Sequence, residues 1–540
     1  NWMWACKNPG EDARLYHAVE ACADFAIALG INIPTGKDSL SMKQKYPDRQ
    51  VIAPGTVIIS AAGHCNNINQ IIEPVLKSGE GDIFYINMSF STFETGGSSF
   101  GQILNKIGDK APNITDAVKF KTAFDTMQTL IKSGVIVAGH DIGSGGLITS
   151  LLELCFAVPD AGANFDLTTL QESDSLKLLF AENAGIVFQV RKGEEKNITD
   201  TFAYAGIEAV FIGKYASGGM VNITNAENEY RFDIKKWRDI WYKTSYLLDI
   251  RQSGALKAKE RYENYKIQPL QFTFPAQFNG KKPDIDPKKP RILAAVIREK
   301  GSNSERELAN ALYCAGFDVR DVHMTDLISG RETLEDIRFI GAVGGFSNSD
   351  VLGSAKGWAG AFKYNEKANQ ALMQFFSRPD TLSLGICNGC QLFIELGLIH
   401  PDHDTKPKMH FNDSHKHESG FTSVKIEENH SVMLSSLAGS TLGVWISHGE
   451  GKFLLPKKES EYHIVAKYEY NAYPANPNGS DYNSAMISSK DGRHLVMMPH
   501  IERSFFQWNW AHYPNGRKDE VSPWAEAFVN ARIWLETRLE

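Results

Sequence analysis

The chain has 540 residues, too many for one hydrophobic core, so several domains are expected. It is 42% hydrophobic and 22% charged, as ordinary globular proteins are, and its net charge of −7 gives no reason to expect nucleic acid or an anionic membrane as a partner. No apolar run approaches the roughly 20 residues of a membrane span. Seven cysteines, an odd number with only Cys387 and Cys390 closely spaced, point to a reducing, cytoplasmic setting. The opening Asn1-Trp-Met-Trp has no initiator methionine and no charged leader, and reads as the middle of a longer protein.

Within residues 1–75, Leu15, Val19, Cys22, Phe25 and Ala26 fall at helical spacing over Glu11–Leu29, and residues 54–62 read as a buried strand. The loop holding Gly36, Lys37, Asp38 and Ser39 lacks the upstream glycine of a phosphate loop. Residues 76–227 form a second α/β unit, with strands at 82–87, 135–139 and 185–190. After the middle strand comes His140-Asp141-Ile-Gly143-Ser-Gly-Gly146, then a helix over 147–156. A carboxylate beside backbone amides at such a junction suits a nucleotide phosphate with its divalent metal; the plainer alternative is that Asp141 caps the helix. Residues 228–266 read as an amphipathic helix whose Trp237, Trp241, Tyr246 and Leu248 pack onto neighbouring domains. Pro269, Pro275, Pro283, Pro287 and Pro290 mark residues 268–290 as a linker and domain boundary.

From residue 291 onward strands are expected at 291–297, 318–323, 338–343 and 381–386, with a helix over 305–316. That alternation implies a parallel sheet covered by helices on both faces, with ligands bound at the carboxyl ends of its strands. Two glycine-rich loops fall at such ends: Gly344-Gly345-Phe-Ser-Asn-Ser-Asp350 and Gly385-Ile-Cys387-Asn-Gly389. The second has the layout of a nucleophile elbow with sulfur in place of the serine oxygen. A side chain at Gly385 or Gly389 would collide with the neighbouring strand or helix, and a helix N-terminus behind Cys387 favours thiolate. A buried cysteine in an ordinary βα turn is the bland alternative, and a redox role for the lone CxxC fits the glycines less well.

A thiolate nucleophile needs a base, and the base needs an orienting partner. Residues 493–498 read as a strand ending in Pro499-His500-Ile501-Glu502. If that end stays extended, His500 and Glu502 point to the same side. His410, His415, His417 and His448 are placed in polar loops without such a partner.

GICNGCQ, GGFSNSDVLG and MMPHIER resemble the glutaminase domain of class I glutamine amidotransferases. NWMWACKNPGEDARLYHAV, IPTGKDSLSM, AGHDIGSGGL, LFAENAG, WRDIWYKTSY, ISHGEGKF and SPWAEAFVNARIW are similar, in order, to segments of the large single-chain phosphoribosylformylglycinamidine synthases of purine biosynthesis. The resemblance implies an α/β and α+β multidomain chain. It would comprise a partial, ATP-binding-like synthase domain (1–75), a synthase C-terminal-type α/β domain (76–227), a helical segment with the proline-rich linker (228–290), and a doubly wound, flavodoxin-like class I glutaminase domain (291–540). It further implies a ligase, with Cys387 as nucleophile, His500 as acid and base, and Glu502 orienting His500. The backbone N–H groups near Gly345 and of Asn388 would form the oxyanion hole, and residues 412–418 and 448–451 would line the glutamine pocket or a domain contact.

The same resemblance implies ATP/ADP and Mg2+ as cofactors, with Asp141 as a magnesium ligand of an auxiliary nucleotide site. Its implied partners are glutamine, formylglycinamide ribonucleotide, ATP and the remaining N-terminal portion of the same enzyme. Two positions depart from the family: Ile501 stands where a proline is usual, and Gly143 where a serine is usual, leaving a backbone amide in place of a hydroxyl. A stand-alone cysteine hydrolase and a non-catalytic assembly fragment are the rival readings.

Overall fold

A computed structural model describes the chain except residues 69, 267–269, 287, 289, 470–471, 515 and 539–540. Pro269 and Pro287 of the proline-rich stretch lie outside the described residues. The chain divides into two compact units, Asn1–Trp241 and Tyr242–Glu540.

In the first unit, helix α1 (Glu11–Leu29) spans the expected residues and stops at Gly30 (φ 71°), whose N–H bonds back to Ile27. The apolar run at 54–62 does not become a buried strand. Only Thr56–Val57 pairs, on one side, with Trp2–Met3, and Ile58 and Ile59 stay exposed. Its β-branched composition suits a strand, but two residue pairs with one neighbour bury little.

Seven further strands build one sheet: β1 (Ile83–Asn87), β2 (Ile136–Asp141), β3 (Ala161–Asp166), β4 (Gly185–Val190), β5 (Val210–Ser217), β6 (Met220–Asn225) and β7 (Asn228–Asp233). Their order is β7-β6-β3-β5-β1-β4-β2, with β3 and β6 parallel and the other neighbours antiparallel. Side chains alternate along β1 and divide two cores between them. Ile83 and Tyr85 pack with Leu147 and Leu151 of helix α3 (Gly146–Phe156). Phe84 and Ile86 pack with Ala123 and Met127 of helix α2 (Ala117–Lys132).

The expected helix from residue 228 is corrected by β7: alternating Tyr230 and Phe232 pack on the core, and helix α4 (Ile234–Asn264) begins only afterwards. Trp241 packs on Phe156 of the preceding α/β domain, as expected, and Trp237 packs on Phe232 of β7.

The second unit holds a nine-stranded sheet. Its strands are β8 (Ile292–Arg298), β9 (Phe317–His323), β10 (Phe339–Ala342), β11 (Leu382–Ile386), β12 (Glu418–Ile426), β13 (Thr441–His448), β14 (His463–Tyr468), β15 (Ser484–Ser488) and β16 (His494–Met497). The order β9-β8-β10-β11-β16-β15-β14-β12-β13 is parallel from β9 to β16 and antiparallel beyond. Helices α5 (Glu305–Cys314), α6 (Lys356–Tyr364), α7 (Glu366–Ser377), α8 (Asn388–Glu395) and α9 (Ala525–Glu536) contribute to its single large core. β11 and β16 are buried along their whole length, the run of a parallel strand covered on both faces and not the alternation expected over 493–498.

The described part of the proline-rich stretch forms no helix, yet it is not loose. Phe272, Phe274 and Phe278 lie against this core, and Thr273 bridges Thr441.

Candidate active site

The sheet carries its loops to one place by topology. β10, β11 and β16 are adjacent and parallel, so their carboxyl ends deliver Gly344–Gly345, Cys387 and His500 to the same edge. The chain runs from β8 out to β9 and returns to β10 on the other side of β8, which opens a crevice at that edge.

Cys387 sits between β11 and α8 with φ 51° and ψ −103°, a backbone conformation L side chains rarely adopt. Its N–H donates to Met497, and its carbonyl accepts from Gln391 in the first turn of α8. The two glycines are required by contact: a Cβ on Gly385 would lie 2.7 Å from the Gly389 carbonyl oxygen, and one on Gly389 would lie 2.1 Å from that of Ala342. The sulfur lies 3.4 Å from the Ser447 carbonyl oxygen. Cys390 is fully buried in α8, and burial raises its pKa well above the ordinary thiol value, so it stays a thiol beside the elbow.

His500 Nδ1 lies 2.7 Å from Glu502 Oε1, and both residues are buried. The pair does not arise from an extended strand end. Ile501 is helical (φ −69°, ψ −29°) and a 3-10 turn begins at Glu502, so the backbone folds the carboxylate onto the ring. Ile501 holds nearly the φ that a proline would impose. Burial works against a charged His500, but the Glu502 carboxylate and the Cys387 sulfur outweigh it and push its pKa up to about 10. Gly344 separates the two groups: a Cβ there would lie 2.8 Å from His500 Cε1 and 3.5 Å from Cys387 Cβ.

Around this centre the loops are tied by polar side chains. Asn388 accepts from the Ser347 N–H and donates to Gln391, which donates to the Glu450 carbonyl. Glu450 accepts from the Ser354 N–H. Asn412 accepts from Gly451 and pairs with His448 Nδ1. His448 therefore differs from its sequence reading: it is the buried last residue of β13, not part of a polar loop. His417 also lies at the site, with Nε2 at 2.9 Å from Ser447 Oγ. Sequence reasoning missed Ser447 and Gln391, for which residue type offers no signal. Buried atoms of Ser347, Asn348, Asp350 and His448 have no hydrogen-bond partner among the described residues. The Asn388 N–H, first in α8, has no intrahelical acceptor. A cavity of about 560 Å³ opens on His500, Glu502 and Ser447.

In the first unit, Asp141 ends β2 with its side chain 87% exposed and His140 at 3.5 Å. It does not cap α3, whose start is Gly145; the Gly145 N–H is taken by Glu182, which also accepts from Ser99. A Cβ on Gly143 would meet nothing within 4 Å, so the space beside it is open. Magnesium takes one or two protein carboxylates and fills its shell with phosphate oxygens and water, and a single exposed carboxylate beside an open backbone fits that need.

A cysteine elbow, a buried His–Glu pair and a doubly wound sheet define a glutamine amidotransferase-type domain. In agreement, residues 289–535 match the CobB/CobQ-like glutamine amidotransferase domain, 79–224 the C-terminal domain of AIR synthase related proteins, and 1–64 the FGAR-AT PurM N-like domain. Along its length the chain is similar to proteins named phosphoribosylformylglycinamidine synthase. It is 38% identical to the "Probable phosphoribosylformylglycinamidine synthase, chloroplastic/mitochondrial" of Arabidopsis thaliana and 36% identical to the Homo sapiens phosphoribosylformylglycinamidine synthase, over 99% of this chain in each case. It spans 40% and 42% of their lengths. Among solved structures, PurLQS from Thermotoga maritima is 23% identical, with a TM-score of 0.36 over 46% of this chain and all of that one. No helix among the described residues is long and apolar enough to cross a membrane.

Proposed function

We propose that the chain is the glutamine-hydrolysing part of a phosphoribosylformylglycinamidine synthase, a ligase of purine biosynthesis. The observation that carries this reading is the buried His500–Glu502 pair beside a cysteine held at positive φ on a βα elbow. The Cys387 thiolate attacks the side-chain carboxamide carbon of glutamine, and the carbonyl electrons move onto oxygen. The N–H groups of Asn388 and near Gly345 stabilise that oxyanion, a contribution of about 3–4 kcal/mol per donor in sites of this type. When the tetrahedral adduct collapses, the C–N bond breaks, His500 gives its proton to the departing nitrogen, and a thioester remains. His500 then takes a proton from water, which attacks the thioester; glutamate leaves and the thiolate is restored. Glu502 holds the ring by Nδ1 throughout. The unpartnered polar atoms of Ser347, Asn348, Asp350 and His448 supply hydrogen-bonding capacity for the amino acid end of glutamine.

The ammonia serves the synthase reaction, in which ATP and formylglycinamide ribonucleotide give formylglycinamidine ribonucleotide, ADP and phosphate. The synthase-like matches over residues 1–64 and 79–224 support this pairing. Residues of the complete enzyme beyond this chain would supply most of that second site. Asp141 would contribute one oxygen to Mg2+ and the Gly143 region its backbone to a nucleotide phosphate; bound there, the metal neutralises phosphate charge. The seven cysteines, all free, support a reducing cytoplasmic location.

Labelling with a glutamine-analogue electrophile tests the reading. One adduct per chain is expected, on Cys387 and blocked by glutamine; modification at another residue, or labelling that survives Cys387→Ala, would sink it.

A further inference from the structure

Beyond α8 the chain turns through His400-Pro-Asp402-His403 before the short strand Lys408–His410. Leu398 and Ile399 anchor the turn in the core, and the Lys406 ammonium donates to the carbonyls of His400 and Pro401. His400 is 4% exposed and His403 9%, with their rings nearly parallel and the centroids 4.6 Å apart. Tyr462 meets both rings edge-on at 5.3 Å.

His400 Nε2 and His403 Nδ1 are buried without a hydrogen-bond partner among the described residues. Two such nitrogens side by side are unfavourable unless something outside the chain engages them. The Asp402 carboxylate completes the group: one ligand atom from each of the three residues lies within 4.8 Å of the other two. Among the described residues this is the group of three that meets that spacing. No step of glutamine hydrolysis uses it.

We propose that His400, Asp402 and His403 bind a divalent cation of the zinc type, with water completing a tetrahedral shell. Two imidazoles and one carboxylate are the donor set for such an ion, whereas magnesium and calcium select oxygen alone. Ligand atoms at about 2.0–2.1 Å from zinc stand roughly 3.4 Å apart, so side-chain rotations that close the present spacing by at most about 1.4 Å suffice. The bound ion would pin the turn after α8 and take up both orphaned nitrogens. It would leave the Cys387 centre unchanged.

The test is titration of the full chain with Zn2+ alone, after its thiols are blocked, followed by calorimetry and by thermal unfolding. One equivalent should bind and raise the melting temperature. His403→Gln and Asp402→Asn should each weaken binding by more than the roughly tenfold cost of an outer-shell change, while the exposed His410→Gln leaves it unchanged. The Asp402 side chain is at the surface, so that variant keeps the test valid if His403→Gln fails to fold. Co2+ in place of Zn2+ should give the spectrum of nitrogen and oxygen ligands. Absence of saturable binding, or binding that neither variant moves, would overturn the proposal.

Discussion

The proton on His500 is held by charge against burial, and this has a measurable sign. Its pKa is raised from 6.5 to about 10 by Glu502 and Cys387, which outweigh the desolvation that lowers it. A group with a raised folded-state pKa stabilises fully below its unfolded value and loses that stabilisation as pH climbs through the folded value. Stability from this residue should therefore decline between about pH 6.5 and about pH 10. Glu502→Gln removes the main raising charge, so it should flatten that slope in urea unfolding at pH 6, 8 and 10, and should lower kcat for glutamine hydrolysis. An unchanged slope would show that the carboxylate does not hold the proton.

The two partners were legible from their spacing and from the elbow in the same domain, but the route to their contact was not. Alternation predicts an extended 500–502, and the structure substitutes a helical turn at Ile501. A two-residue reversal leaves no periodic signature. The buried role of His448 was hidden for a related reason, since its hydrogen-bond partner Asn412 is 36 residues away.

At the level of elements, the glycines divide into two kinds of constraint. A methyl on Gly389 would press into the Ala342 backbone oxygen, which cannot swing away, so Gly389→Ala must shift α8 against β10. Loss of about 1–3 kcal/mol in chemical unfolding is expected, with slower labelling of Cys387. A methyl on Gly344 meets the His500 ring, a side chain that can tilt. Gly344→Ala should therefore leave the unfolding midpoint nearly unchanged and reduce kcat through a misaligned imidazole. Equal loss of stability in both variants would contradict this division.

The elbow could be read in advance because it is local, with glycines, cysteine and helix within a few residues. The strand at 54–62 failed because an apolar β-branched run specifies a strand only where neighbours cover it. The missed β7 is the converse: its short Tyr230/Phe232 alternation, flanked by polar residues, was absorbed into the helical pattern that follows.

At the scale of the whole molecule, the proposed function would have two reactions share one nitrogen but not one set of residues. The groups at Cys387 lie in Tyr242–Glu540, and the Asp141 junction lies in Asn1–Trp241. Motif order places Asp141 and Cys387 on opposite sides of the proline-rich residues 268–290, and the two compact units divide earlier, between Trp241 and Tyr242. Residue patterns could not show how β10, β11 and β16 become neighbours, because those strands are far apart in sequence. If Cys387 serves only to release ammonia, Cys387→Ala in the complete synthase should abolish glutamine-dependent product formation. Activity with added ammonium salt at alkaline pH, where free NH3 is abundant, should stay within about twofold of the unmodified enzyme, since the substitution removes only a thiol and surface groups remote from it are untouched. Loss of both activities would mean that the elbow also supports the synthase site. Retention of both would mean that another residue cleaves glutamine.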